Sequence, residues 1–229
     1  VKDLLVTGTD TAIGKTAVSA GLLLALRDRG VACVGFKPVE TGTSSGEETD
    51  SALLARASSS ADPAACPLLA LPEPLAPAVA AERAGALWDP SEAVARIRDL
   101  RSKGLTVVVE GAGGILVPWS WGFTALDLAA QAGLDALVVG RPGLGTLNHV
   151  LLTVGALRDR GVRVAAVVLN RVPAAPDLAE STNPGALRRL LPGLPVHVLP
   201  DEGSGPPWEV AVRLGPRLGP ILDGTAPPP

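Results

Sequence analysis

Short unbroken apolar runs alternate along the chain with longer stretches in which apolar positions recur every three or four residues. The runs at residues 4–7, 31–36, 106–110, 136–140 and 164–170, with a shorter one at 196–199, are mostly apolar without in–out alternation. That is the pattern of strands covered on both faces. Between them, residues 15–29 place Val18, Leu22 and Leu26 on one helical face and stop at Gly30. Residues 90–103 place Val94, Ile97 and Leu100 on another, with Asp89 as the expected N-cap and Gly104 as the stop. Strands alternating with helices predict an α/β fold of three layers, a mostly parallel sheet flanked by helices. Pro67, Pro72, Pro74 and Pro77 mark an extended connection too apolar for a free linker. A last helix is expected around residues 209–214, and about residues 220–229 read as a disordered tail.

Composition narrows the class without changing this picture. A chain of 229 residues fits one large α/β unit, so a single domain over residues 1–229 is expected. With 47% hydrophobic and 19% charged residues it is neither a disordered acidic chain nor a basic nucleic-acid binder. A net charge of −3 gives no electrostatic reason for a nucleic acid or an anionic membrane as partner. Two cysteines, Cys33 and Cys66, fit a reduced cytoplasmic setting and make a zinc site an unattractive reading. No run approaches the length of a membrane span and the first residues hold no long apolar leader segment, so a soluble protein is expected.

Chemistry is concentrated where apolar runs end. GTDTAIGKTA, residues 8–17, joins the first strand to the first helix. A tight turn would use such residues, but glycines that free consecutive N–H groups, a helix start, and a lysine make a phosphate cradle. Lys15 would supply the full charge and Thr16 a hydroxyl for Mg²⁺. Five residues separate Gly8 from Gly14, one more than the usual spacing of such loops. In FKPVETG, Lys37 leaves the second strand at its carboxyl end, where open α/β sheets bind ligands, and Thr41 and Thr43 add hydroxyls. Asp50 is either the N-cap of the next helix or a Mg²⁺ ligand. In TVVVEGAGG, Glu110 ends a fully apolar strand, where packing alone offers it no partner and a metal ion would. Gly111, Gly113 and Gly114 let a phosphate or substrate approach the backbone. Thr16, Asp50 and Glu110 together form a hard-oxygen set suited to Mg²⁺. GRPGLGTLNH, after the strand ending at Gly140, serves either as plain capping or as an anion seat near Asn148. His149 and His197 read as structural, and Trp119 and Trp121 as packing residues or as a shield over a substrate.

The motifs GTDTAIGKT, FKPVETG, VEGAGG and LGTLNH, in this order over the first two-thirds of the chain, resemble the dethiobiotin synthetases, and VLN ending at Asn170 extends the likeness. The resemblance implies a P-loop NTPase type of fold and an ATP- and Mg²⁺-dependent reaction. CO₂ would form a carbamate on 7,8-diaminononanoate, ATP would phosphorylate it, and the second amine would close a cyclic urea. It further implies catalytic roles for Lys15 and Lys37, and nucleotide contacts from Ala12, Ile13, Gly14, Lys15, Thr16, Ala17, Asp50, Glu110, Gly111, Ala112 and Gly113. Asn170 and Arg171 would meet the adenine side, with Pro200, Asp201 and Glu202 flanking the base. Substrate contacts would come from Thr41, and from the backbone of Thr146, Leu147 and Asn148 of the neighbouring subunit in a homodimer. Ala12 stands where an acidic residue is frequent, and Thr41 where serine is. A partner-controlled switch ATPase is the alternative within phosphate-loop proteins, and the absence of a lysine in residues 6–13 counts against it. A nucleotide binder without transfer chemistry is a further alternative, distinguished by substrate-dependent ADP release. An amide synthase of the cobyric acid kind would need a glutamine-splitting domain, for which 229 residues leave no room.

Overall fold

Alternation within each strand divides the core into two halves, and that division positions everything else. The computed structural model describes residues 2–43, 46, 48–203 and 205–224. In chain order the elements are β1 (Leu4–Gly8), α1 (Lys15–Asp28), β2 (Cys33–Phe36), β3 (Val39–Thr41), α2 (Asp50–Ala57), β4 (Leu69–Leu71), α3 (Pro77–Ala84), α4 (Glu92–Ser102) and β5 (Thr106–Gly114). They continue with β6 (Pro118–Ser120), β7 (Phe123–Thr124), α5 (Ala125–Ala132), β8 (Asp135–Gly140), α6 (Thr146–Asp159), β9 (Val164–Val172), α7 (Leu178–Leu190), β10 (Val196–Pro200) and α8 (Pro207–Leu222). Six strands form one parallel sheet in the order β10-β9-β8-β1-β5-β2. This is the expected three-layer α/β architecture, with the expected strands present and extended by one to four residues at their carboxyl ends in β1, β5, β9 and β10.

On one face Leu5, Val34, Phe36, Val107, Val109, Val138, Val167 and Leu169 pack with α4, α5, α6 and α7. On the other Leu4, Val6, Val108, Leu137, Val139, Val168 and Leu199 pack with α1, α2 and α8. Because side chains change face at every residue of a strand, the same parity continues past the apolar runs. It carries Lys37, Glu110 and Asn170 to the α1 side, each at the carboxyl end of its strand.

The last helix is longer than the 209–214 expectation. It reaches Leu222 in spite of Pro216 and Pro220. Interior prolines cost about 3 kcal/mol each, but Leu214, Leu218 and Ile221 are buried against α1, at about 1.5–3 kcal/mol per side chain. The helices come together where Gly21 faces α8: a Cβ there would lie 2.7 Å from Leu218 Cδ1 and 3.2 Å from the Ala211 carbonyl oxygen. Arg29 pairs with both carboxylate oxygens of Asp223, at 2.7 and 3.0 Å. The helix thus covers the first residues of the stretch expected as a tail from about residue 220, and residues 225–229 lie outside the described residues.

Two caps differ from expectation. Thr49, not Asp50, caps α2 by accepting the Ala52 N–H. Ser91 occupies the N-cap of α4, while Asp89 accepts the Ser91 N–H at 2.8 Å and its hydroxyl at 2.7 Å, which makes Asp89 a turn residue before the helix. The proline-rich connection is extended as expected and lends β4 to a small parallel pair with β3. Trp119 is fully buried and packs between Trp88 and Phe123. Trp121 is exposed, with its indole N–H on Glu82. Among the described residues no helix is long and apolar enough to cross a membrane.

His197, on β10, is buried and its Nε2 has no hydrogen-bond partner among the described residues. Burial, and then the positive charge of Arg188, lower its pKa below the ordinary 6.5. As pH falls past that ordinary value the unfolded chain takes up a proton that the folded chain still refuses, so stability drops until the lowered folded value is reached. Urea denaturation at about pH 7.5 and about pH 5.5 should show the wild-type midpoint falling more than that of His197→Gln. Equal slopes would mean that His197 charges without cost in the fold.

Candidate active site

The loop between β1 and α1 opens on a helix start with no capping side chain among the described residues. Gly14, the N-cap of α1, adopts the left-handed region at φ 88°, no side chain caps the helix, and its first turn holds no acidic residue. The first N–H groups of α1 are therefore left for an incoming anion. A Cβ at Gly14 would fall 2.3 Å from Asn170 Nδ2, so glycine is required by space as well as by conformation. Lys15 is buried, and its Nζ donates to the Asp10 carbonyl at 2.9 Å. Among the described residues no carboxylate lies within ion-pair distance of it. Burial lowers its pKa, opposed by the charge of Glu110 and reinforced by that of Lys37.

Strand register brings the second lysine to the same place. Phe36 is level with Val109 across β2 and β5, so the next residue on each strand, Lys37 and Glu110, are neighbours. Lys37 Nζ lies 2.8 Å from Glu110 Oε1 and also contacts Asp50 Oδ2. Burial disfavours the Lys37 ammonium, but Glu110 and then Asp50 outweigh it and hold the pKa above that of an ordinary lysine. Burial pushes the Glu110 carboxyl upward, against the pull of Lys37. With the ammonium in direct contact and the Thr16 hydroxyl donating to the same Oε1 at 2.9 Å, the proton of the pair belongs on Lys37. Glu110 thus has a partner, contrary to the expectation that only a metal could supply one. Its other oxygen, Oε2, is buried with no hydrogen-bond partner among the described residues.

That orphaned oxygen, the Thr16 hydroxyl and the partly exposed Asp50 carboxylate fit a divalent hard cation. The described residues contain no group of three or more carboxylate, histidine or cysteine side chains able to hold a metal. Two carboxylates and a hydroxyl suit a cation that keeps water and phosphate oxygens as its remaining ligands, which is the habit of Mg²⁺. Glu40 supports the arrangement from behind: its carboxylate accepts the Ser51 N–H at 3.2 Å and the Ser51 hydroxyl at 2.6 Å, fixing the start of α2 next to Asp50.

A cleft of about 810 Å³ runs along these carboxyl ends. Ala12, Gly14, Lys15, Thr16, Ala17, Lys37, Thr41, Asp50, Glu110, Gly111, Ala112, Gly113, Asn170, Arg171, Pro200, Asp201 and Glu202 all line it. Ile13 turns its side chain into the core, and its carbonyl accepts the Asn170 amide at 2.9 Å. Thr146, Leu147 and Asn148 are not brought into the cleft: they start α6 beyond β8, with Thr146 buried and Asn148 exposed. The sequence reading missed one wall, made by Gly203, Gly205, Pro207, Val210 and Leu214 at the start of α8. Its only signal was the amphipathic spacing of Val210 and Leu214, masked by prolines. Glu202 is fastened to that wall through Arg217, at 2.9 Å, and Arg213, at 3.7 Å.

Known proteins match the chain over most of its length. A family model described as an AAA domain matches residues 2–199. The chain is similar to the ATP-dependent dethiobiotin synthetase BioD of Anaeromyxobacter sp. strain K, 44% identical over 225 residues and 97% of each chain. It is also similar to the protein of the same name from Saccharopolyspora erythraea, 40% identical over 96% of this chain and 97% of the relative. Among solved structures, a chain of the MinC:MinD cell division protein complex of Aquifex aeolicus superposes with a TM-score of 0.55 at 15% identity, covering 100% of this chain and 98% of that one. At that identity the likeness is one of fold.

The Gly14 geometry yields a direct test. Gly14→Ala forces a side chain into a left-handed backbone position, which costs about 1–3 kcal/mol, and drives it against Asn170. Urea denaturation should register a loss of that size, and titration with pyrophosphate should show weakened binding. A variant with wild-type stability and pyrophosphate affinity would refute the close packing of loop and β9.

Proposed function

The chain belongs to the ATP-dependent dethiobiotin synthetases and makes dethiobiotin for biotin biosynthesis, and from that premise we propose how its own residues divide the work. ATP lies along the cleft with its phosphates at the start of α1. The loop N–H groups orient them, and Lys15, buried and with no carboxylate at ion-pair distance among the described residues, neutralises the terminal phosphates. A charge pair at about 4 Å is worth roughly 4 kcal/mol at an effective dielectric near 20, several times a helix end. Thr16, Asp50 and Glu110 would hold Mg²⁺, which when bound supplies charge neutralisation to the triphosphate. Asn170 spends its amide N–H on the Ile13 carbonyl and keeps a buried oxygen without a partner. That acceptor suits the amino group of adenine. Pro200, Asp201 and the α8 wall flank the base, while the Glu202 carboxylate is occupied by arginines and serves to fix the loop.

On the substrate side, 7,8-diaminononanoate carries a carbamate formed with CO₂. Lys37 holds the carbamate oxygens toward the phosphate, and Thr41 contacts the chain of the substrate. Transfer of the terminal phosphoryl group makes the carbamate carbon an electrophile, and the second amine then closes the urea ring and releases phosphate. The step asks for positioning and charge, not for a protein nucleophile. We further propose that the whole chain acts as one domain, in the cytoplasm and as a homodimer. The start of α6, outside its own cleft and bordered by the exposed Leu144 and Leu152, would offer the backbone of Thr146, Leu147 and Asn148 to the substrate carboxylate of the partner copy.

The observation that carries this reading is the convergence of Lys15, Lys37, Thr16 and Glu110 in one cleft. ADP release should require both the diamine and CO₂, with a product of dethiobiotin mass. Release indifferent to the diamine would sink the proposal. If Lys37 contributes about 4 kcal/mol to the transition state, Lys37→Ala lowers kcat by on the order of 10³. Calorimetry should find its ADP affinity largely kept. Unchanged turnover would remove Lys37 from the chemistry.

A further inference from the structure

Among the described residues only two without a glycine's freedom have left-handed backbones: Ala12, at φ 55°, and Arg171, at φ 61°. They are joined, since Arg171 Nη1 donates to the Ala12 carbonyl at 3.0 Å. One residue along, Asn170 Nδ2 donates to the Ile13 carbonyl at 2.9 Å. Two successive carbonyls of the loop are therefore drawn toward the end of β9. A trans peptide is planar, so its N–H points opposite to its carbonyl. Fixing the Ala12 and Ile13 carbonyls turns the Ile13 and Gly14 N–H groups away from β9, toward the hollow of the loop. Ala12 has no polar side chain with which to hold its own peptide. A left-handed backbone at such a residue persists only where the surroundings impose it.

We propose that Arg171 is a positioning residue of the phosphate loop: from the end of β9 it pins the Ala12 peptide, so that the N–H groups at Ile13 and Gly14 face the anion before it arrives. The inference rests on the reading that a nucleotide phosphate occupies this loop. What the role requires is a donor at the right reach, not a positive charge. It therefore separates from direct attraction between the guanidinium and a phosphate.

Three full-length proteins test it: wild type, Arg171→Met, which removes the donor, and Arg171→Gln, which keeps an uncharged one. ADP affinity is measured by calorimetry, KM for ATP and kcat by turnover, and backbone amide order parameters of Ile13 and Gly14 by NMR without nucleotide. The Met variant should bind ADP about tenfold more weakly, with KM for ATP rising by more than kcat falls. Its two amides should drop from about 0.85 toward 0.6. The Gln variant, whose donor is uncharged but two bonds shorter, should recover part of the affinity and order. Unchanged ADP affinity in the Met variant would overturn the proposal. So would weakened binding with undisturbed amides, which assigns Arg171 to the phosphates directly. A wild-type protein that fails to bind ADP would instead overturn the nucleotide reading, and this inference with it.

Discussion

The buried pair of Lys37 and Glu110 is the constraint on which the rest of the site depends. Neither group could stay charged alone at the carboxyl end of an apolar strand, where an unpaired ion costs several kcal/mol. Strand register solves this by making them neighbours across β2 and β5. Their attraction, roughly 4 kcal/mol at an effective dielectric near 20, about cancels the cost of burying them. The pair thus adds little to stability. Its effect is to keep an ammonium and a carboxylate in ionised form, at fixed positions, in a place where water competes poorly with them.

Much of this was legible in the chain because the strands are unbroken. Six apolar runs mark the six strands of the sheet, and their parity fixes which side Lys37, Glu110 and Asn170 face. What could not be read has identifiable causes. The pairs β3–β4 and β6–β7 are strands of two or three residues, too short for any periodicity to register. Glu110 was read as partnerless because pairing depends on register between strands about 70 residues apart, which no local pattern encodes. The last helix was cut short at residue 214 because Pro216 and Pro220 signal a stop locally, whereas packing on α1 overrides them. Asp50 stayed open between a cap and a metal ligand because Thr49 and Asp50 are adjacent residues that can both cap a helix; the structure gives the cap to Thr49 and leaves the Asp50 carboxylate on Lys37.

The fold by itself says little about chemistry. A cell-division protein complex shares the sheet and its helices at 15% identity, and a three-layer sheet with a phosphate loop hosts many reactions. Specificity lies in what is attached at the carboxyl ends. Glu40 sets the start of α2, Asn170 and Arg171 grip the loop from β9, and Glu202 ties the 200–203 loop to α8. Each of these acts through another residue, and each bridges elements distant in sequence.

The two lysines sit in different electrostatic settings, and the proposed division of work rests on that difference. Lys37 is neutralised in advance by Glu110 and Asp50, and its ammonium is favoured by them. Lys15 is buried on a carbonyl oxygen, and burial works against its charge. An anion brought to Lys15 relieves a cost, so Lys15 gains from binding a highly charged phosphate in the ground state. An anion brought to Lys37 must compete with two carboxylates, so Lys37 gains only where the approaching group carries more charge than the ground state does. Interactions of the first kind lower KM and those of the second kind raise kcat. A site that must first collect ATP and then stabilise a transferring phosphoryl group needs one cation of each kind.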